Sequence, residues 1–170
     1  MFRPMRRHRQ QLSQGDCAAI LSRGTSGVLA VAGDGGYPYA VPLSYVYQEG
    51  TLFFHCAKAG HKLDALRRCS KASFCVIDQD QVVPPEYTTY FRSVIAFGRT
   101  RILEDEAEKQ AAIWLLAEKY CPGDSPEHRQ EAIRREAGAL CLVSPSIEPM
   151  TGKQAIELVR EDRRQADLPL

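Results

Sequence analysis

The chain has 170 residues, a formal net charge of +1, and 44% apolar and 25% charged residues. That length suits a single domain able to bury a core, and the near-zero net charge leaves no overall field to draw the molecule onto nucleic acid. No run approaches the ~18 consecutive apolar residues of a membrane helix, and no apolar run follows the N-terminal arginines, so neither a membrane span nor a secretory leader is expected.

The basic arm Arg3, Arg6, Arg7, His8 and Arg9 has no aromatic interleaving and reads as a solvated tail rather than a nucleic-acid arm. Ser13 then caps a short helix through Ala18, Ile20 and Leu21 that Gly24 ends. "GVLAVA" (27–32) reads as a strand and "GDGG" (33–36) as a hairpin turn. A second strand, "YPYAVPLSYVY" (37–47), turns at "QEG" into a third over 51–56. Connections this short demand antiparallel pairing. A helix follows over 61–68, with Leu63 and Leu66 on one face. "ASFCVID" (72–78) is a fourth strand. After Pro84-Pro85, residues 87–103 make a long fifth strand that bends near Gly98.

"DEAEKQAAIWLLAEKY" is the clearest helix, with acidic residues at its start and a Cys121-Pro122-Gly123 stop. "SPEHRQEAIRREAG" is a second one, capped by Ser125 with Pro126 at its first position. "ALCLVSPSIE" is the last strand, and the segment after Lys153 carries no clear pattern. Early strands, late helices and hairpin connections make the class α+β, with six antiparallel strands forming a small barrel. Side chains fill a small barrel, so a ligand must sit outside it or between subunits. The expected divisions are a basic arm (1–12), the barrel domain (13–153) and a tail (154–170).

The six cysteines include no CxxC pair and no Cys/His cluster with zinc spacing, so no metal site is expected and a reduced, cytoplasmic setting fits. There is no GxSxG, HExxH or P-loop motif, so any hard chemistry falls to a cofactor. Pro42 lies inside a good strand, where it cannot donate to a ladder; it marks a plain edge or a bulge near a site. His55, taken singly, is a half-buried histidine or a ligand-facing one. Gly60, His61 and Lys62 stand where a strand hands over to a helix. Free N–H groups, a glycine and a cation there form a phosphate cradle. The alternative is a surface turn in which Lys62 pairs with Asp64 or Glu49.

The early helix, then "GVLAVAGDGGYPYAVPLSYVYQEGTLFFHCAKAGHKLDAL", "RSVIAFGRTRIL" and "EPMTGK" together resemble the pyridoxamine 5′-phosphate oxidase-like split-barrel flavoproteins, and more narrowly their nitroimidazole-resistance branch. The resemblance implies FMN at the interface of a homodimer, outside the barrel. It implies that Pro42, Leu43 and Ser44 line the isoalloxazine ring and that His55 and Ala57 flank the ring and ribityl chain. It places His61 and Lys62 on the phosphate and directs Ser93 at the flavin from the neighbouring strand. His55 is then the candidate catalytic residue of an oxidoreductase acting on a small electron-poor, nitroaromatic-like acceptor. The end "VREDRRQADLPL" lacks the basic motif that grips substrate phosphate in true pyridoxamine phosphate oxidases, which argues against that reaction. A haem- or deazaflavin-binding protein on the same barrel, and a cofactor-less interaction module, are the rival readings.

Overall fold

The computed structural model describes residues 2–166. Its frame is one seven-stranded antiparallel sheet in the order β2-β1-β5-β6-β7-β4-β3. The strands are β1 (Ser26–Ala32), β2 (Pro38–Ser44), β3 (Val46–Gln48), β4 (Thr51–Ala57), β5 (Lys71–Val83), β6 (Thr88–Ile102) and β7 (Leu140–Gln154). The two edge strands, β2 and β3, are consecutive in the chain and only Tyr45 separates them. The sheet must therefore roll until its edges nearly meet, which makes an open, split barrel.

Six strands were expected and seven form, because the segment 37–47 breaks at Tyr45. The cause lies 75 residues away. The Tyr45 N–H donates to the Tyr120 hydroxyl (2.9 Å), whose single proton is shared between the carbonyls of Tyr45 and Thr25. Both main-chain groups of Tyr45 thus leave the ladder while staying paired. The Tyr45 ring is fully buried, its own hydroxyl donates to the Leu21 carbonyl at 2.8 Å, and burial pushes its phenol well above the usual range.

The hairpin turns follow the sequence. Gly35 and Gly36 take positive φ between β1 and β2, and Glu49 and Gly50 (φ 46° and 80°) close β3 onto β4. A bulge falls between Ala96 and Gly98 of β6, where a Cβ on Gly98 would collide with the Ser146 carbonyl of β7.

Among the described residues five α-helices accompany the sheet: α1 (Gln14–Arg23), α2 (His61–Arg68), α3 (Glu106–Tyr120), α4 (Pro126–Ala137) and α5 (Ile156–Ala166). A reciprocal capping box between Ser13 and Asp16 starts α1. Its Ile20 and Leu21 join Leu29, Phe54, Phe74 and Val94 inside the barrel. A second cluster lies outside it, where Ile113 and Leu116 of α3 and Ile133 of α4 cover Val46 and Leu142. The segment after Lys153 forms α5, whose Leu158 is buried and which packs near the turn at His8–Gln10. No helix among the described residues is long and apolar enough to cross a membrane.

Candidate functional site

Alternation along β2 turns Tyr39, Val41 and Leu43 toward the core and leaves Ala40, Pro42 and Ser44 outside. The expectation that Pro42 marks an edge is met, since β2 pairs only with β1. Across the outer face of the sheet the register sets Pro42 opposite Val28, Val28 opposite Cys75, Cys75 opposite Ile95 and Ile95 opposite Thr151. This row is largely apolar and uncovered: Val28 and Ile95 are 37% and 39% exposed, and nearby Ile77 is 65% exposed. Ser93 stands on the same face, between Ile77 of β5 and Lys153 of β7.

His55 and Ala57 lie outward on β4, near the opposite margin of the sheet. The roll of the sheet brings His55 to Ser44. Both border a groove of about 390 Å³ walled by α3 and α4, with a floor that includes Ile113, Leu116 and Leu140. His55 is exposed to this groove. Burial first, and the nearby Lys62 ammonium second, hold its pKa below the ordinary value, which favours the neutral ring.

The strand-to-helix step at Gly60 has the geometry of an anion seat. Gly60 sits at φ 124° with open space where a Cβ would be, and no side chain caps α2. Its first N–H groups have no partner within the helix. Lys62 pairs with neither Asp64 nor Glu49; among the described residues no carboxylate lies within 4.0 Å of its ammonium, and Asp64 pairs with Arg67 instead. The Lys62 Nζ leans 5.7 Å over the Phe54 ring. His61 points elsewhere, because consecutive helical residues are turned ~100° apart. Its ring stacks on Tyr39 (4.1 Å between centroids), and its Nε2 lies 3.5 Å from Asp34. Asp34 also holds Arg68 at 2.5 Å. The structure thus brings Lys62 to His55, and His61 to Tyr39 and Asp34, while Pro42 and Ser93 stay apart on the outer sheet face.

Three residues near the site had not been singled out. Asp34, read only as part of the "GDGG" turn, pairs with Arg68 and lies beside the His61 ring. Tyr39 is the ring under His61, and alternation on β2 could have placed it beside Val41 and Leu43. Arg129 is buried at the far end of the groove. It lies 5.1 Å over the Trp114 ring and donates to the Cys121 carbonyl at 3.0 Å, so it ties the start of α4 to the end of α3.

An open seven-stranded split barrel with an uncapped helix start beside one mouth defines the class. The family profile of pyridoxamine 5′-phosphate oxidase matches residues 13–154, and the chain belongs to that family. Among curated proteins no significant match is found. Solved structures share the fold. A candidate 5-nitroimidazole antibiotic resistance protein from Bacteroides thetaiotaomicron superposes with a TM-score of 0.70 at 21% identity, over 85% of this chain and 86% of that one. An FAD-binding protein from Mesorhizobium loti gives 0.65 at 24% identity, over 86% and 97%. The flavocytochrome Anf3 from Azotobacter vinelandii gives 0.74 at 22% identity, over 89% and 72%.

Proposed function

We propose that the chain is a homodimeric FMN-binding oxidoreductase that reduces a small, flat, electron-poor acceptor of the nitroaromatic kind. The observation that carries this reading is the seat at Gly60: an uncapped helix start with free N–H groups, an open glycine and an ammonium without a carboxylate partner among the described residues. A cation there opposes the helix dipole unless an anion arrives, and a phosphate supplies one. The flavin-binding proteins among the structural neighbours support flavin as the carrier of that phosphate.

FMN, when bound, supplies the hydride or electron pair. The chain's own residues bind, orient and keep water out. Lys62 and the α2 N–H groups hold the phosphate, with His61 as a weaker second donor. Pro42 offers no N–H, which leaves the β2 edge free for Leu43 and Ser44 to meet a flat ring through backbone and hydroxyl. Ala57 flanks the ribityl side, and Ser93 approaches from the outer face. His55, kept neutral, offers one N–H to an acceptor oxygen without placing a positive charge beside it. The apolar row from Pro42 to Ile95 suits a two-fold contact, which would bring Pro42 and Ser93 of the two subunits around one flavin and exclude water.

A second reading, a haem-binding protein on the same barrel, is favoured by one observation: a neutral imidazole at the mouth of a largely apolar groove. Light scattering and absorption recorded on one eluting peak, after incubation with FMN, decide between them. A dimer mass with flavin bands supports the first reading. A Soret band after haem loading supports the second. A colourless peak that refuses both cofactors overturns both.

A further inference from the structure

We infer that Cys56 and Cys141 form a redox modification site, a dithiol that closes into a cross-strand disulfide on meeting a small-molecule disulfide such as oxidised glutathione. The two residues stand directly opposite each other in the β4–β7 ladder. Residues so placed in an antiparallel pair have Cα atoms ~4.5–5.5 Å apart, within the ~4.4–6.8 Å that disulfides span. Both side chains lie on the inward face, beyond the buried pair Phe54 and Val143, so the two thiols stand side by side across the ladder. No other two cysteines oppose each other in the sheet: Cys17 is buried on α1, Cys69 follows α2, Cys75 is on the outer face and Cys121 follows α3.

The pair sits at the barrel mouth, half-buried, so a small oxidant can reach it. Lys62 and Arg67 draw the Cys56 thiol toward ionisation, while burial, the larger effect, raises it. Attack is therefore slow at neutral pH, and either thiol can begin it; in one order Cys56 leads. Its thiolate displaces one glutathione thiolate from the oxidised dimer and leaves a mixed disulfide. The Cys141 thiolate then attacks the Cys56 sulfur and expels the second glutathione thiolate. Two electrons pass to glutathione, and the two thiol protons end on its two thiols. The site stands independently of the flavin reading.

The test incubates the whole reduced protein with excess oxidised glutathione at pH 8, quenches with an alkylating agent, and maps peptides by mass spectrometry. The expected product has lost two hydrogens and yields a linked peptide pair carrying Cys56 and Cys141. In Cys141→Ser the second step is blocked, and glutathione should stay on Cys56. Wild-type protein that keeps all its thiols, that links a different pair, or that carries glutathione at both positions without a cross-link would overturn the assignment.

Discussion

Changing Lys62→Ala isolates the phosphate term in cofactor binding. In the folded chain the Lys62 ammonium has no carboxylate within 4.0 Å among the described residues, and it lies 5.7 Å over Phe54. A charge-assisted hydrogen bond from it to a phosphate is worth about 1.5–3 kcal/mol. At 1.4 kcal/mol per factor of ten, its removal should weaken FMN binding roughly ten- to a hundredfold. The cation–π contact is also lost, at about 0.5–1 kcal/mol, but that cost falls on the fold and is the same whichever flavin is offered. Riboflavin, which has no phosphate, is therefore the internal control and should bind wild type and variant almost equally. His61→Ala should act in the same direction and less, because that ring already stacks on Tyr39 and faces Asp34. Both flavins are titrated into apo wild type and Lys62→Ala, following quenching of flavin fluorescence. Equal losses for FMN and riboflavin would refute the argument, since the lysine would then support the fold rather than the phosphate.

Three further outcomes follow from the geometry. The His55 ring should titrate below its ordinary value by NMR, and Lys62→Ala should move it upward by removing the second cause of the shift. A depressed folded-state pKa means that the stability tied to His55 is present above about pH 6.5 and is lost as pH falls toward the folded value; melting temperatures of wild type and His55→Gln should diverge on acidification in that order. Tyr120→Phe should cost about 1–3 kcal/mol by orphaning the Tyr45 N–H, read as a lowered urea midpoint; an unchanged midpoint would mean that water replaces the hydroxyl. Gly98→Ala should destabilise by at least about 1–3 kcal/mol, since its Cβ meets the Ser146 carbonyl rather than a movable side chain.

What could be seen beforehand was what neighbours in the chain decide. The span of α2 was legible because Gly60 opens it and Leu63 and Leu66 fix its buried face. The hairpins were legible because glycines at positive φ announce them. The break at Tyr45 was not, because its partner is a hydroxyl on α3. The extension of β5 to Val83 was missed as well. Gln79, Asp80 and Gln81 have no strand pattern of their own and are held only by pairing with Arg92, Phe91 and Tyr90. In the candidate site, His61 and Lys62 were read as one basic pair. The helix turns them to different neighbours, and Asp34, which pairs with Arg68 and lies beside His61, stands 27 positions earlier than His61 in a turn that gave no sign of its role.

The position of β7 governs how the chain can fold as it is made. This strand, Leu140–Gln154, leaves the ribosome after the other six described strands, yet it lies between β6 and β4 in the sheet. Until it emerges, the nascent chain can form only two separate pieces: β2-β1-β5-β6, and the hairpin of β3 and β4. Each presents a strand edge with unpaired N–H and C=O groups, and the long edge of β6 is the more exposed of the two. The barrel interior stays wet until β7 arrives. Chains truncated before Leu140 should therefore be aggregation-prone rather than partly functional, and a chaperone that shields strand edges would find its substrate in that interval.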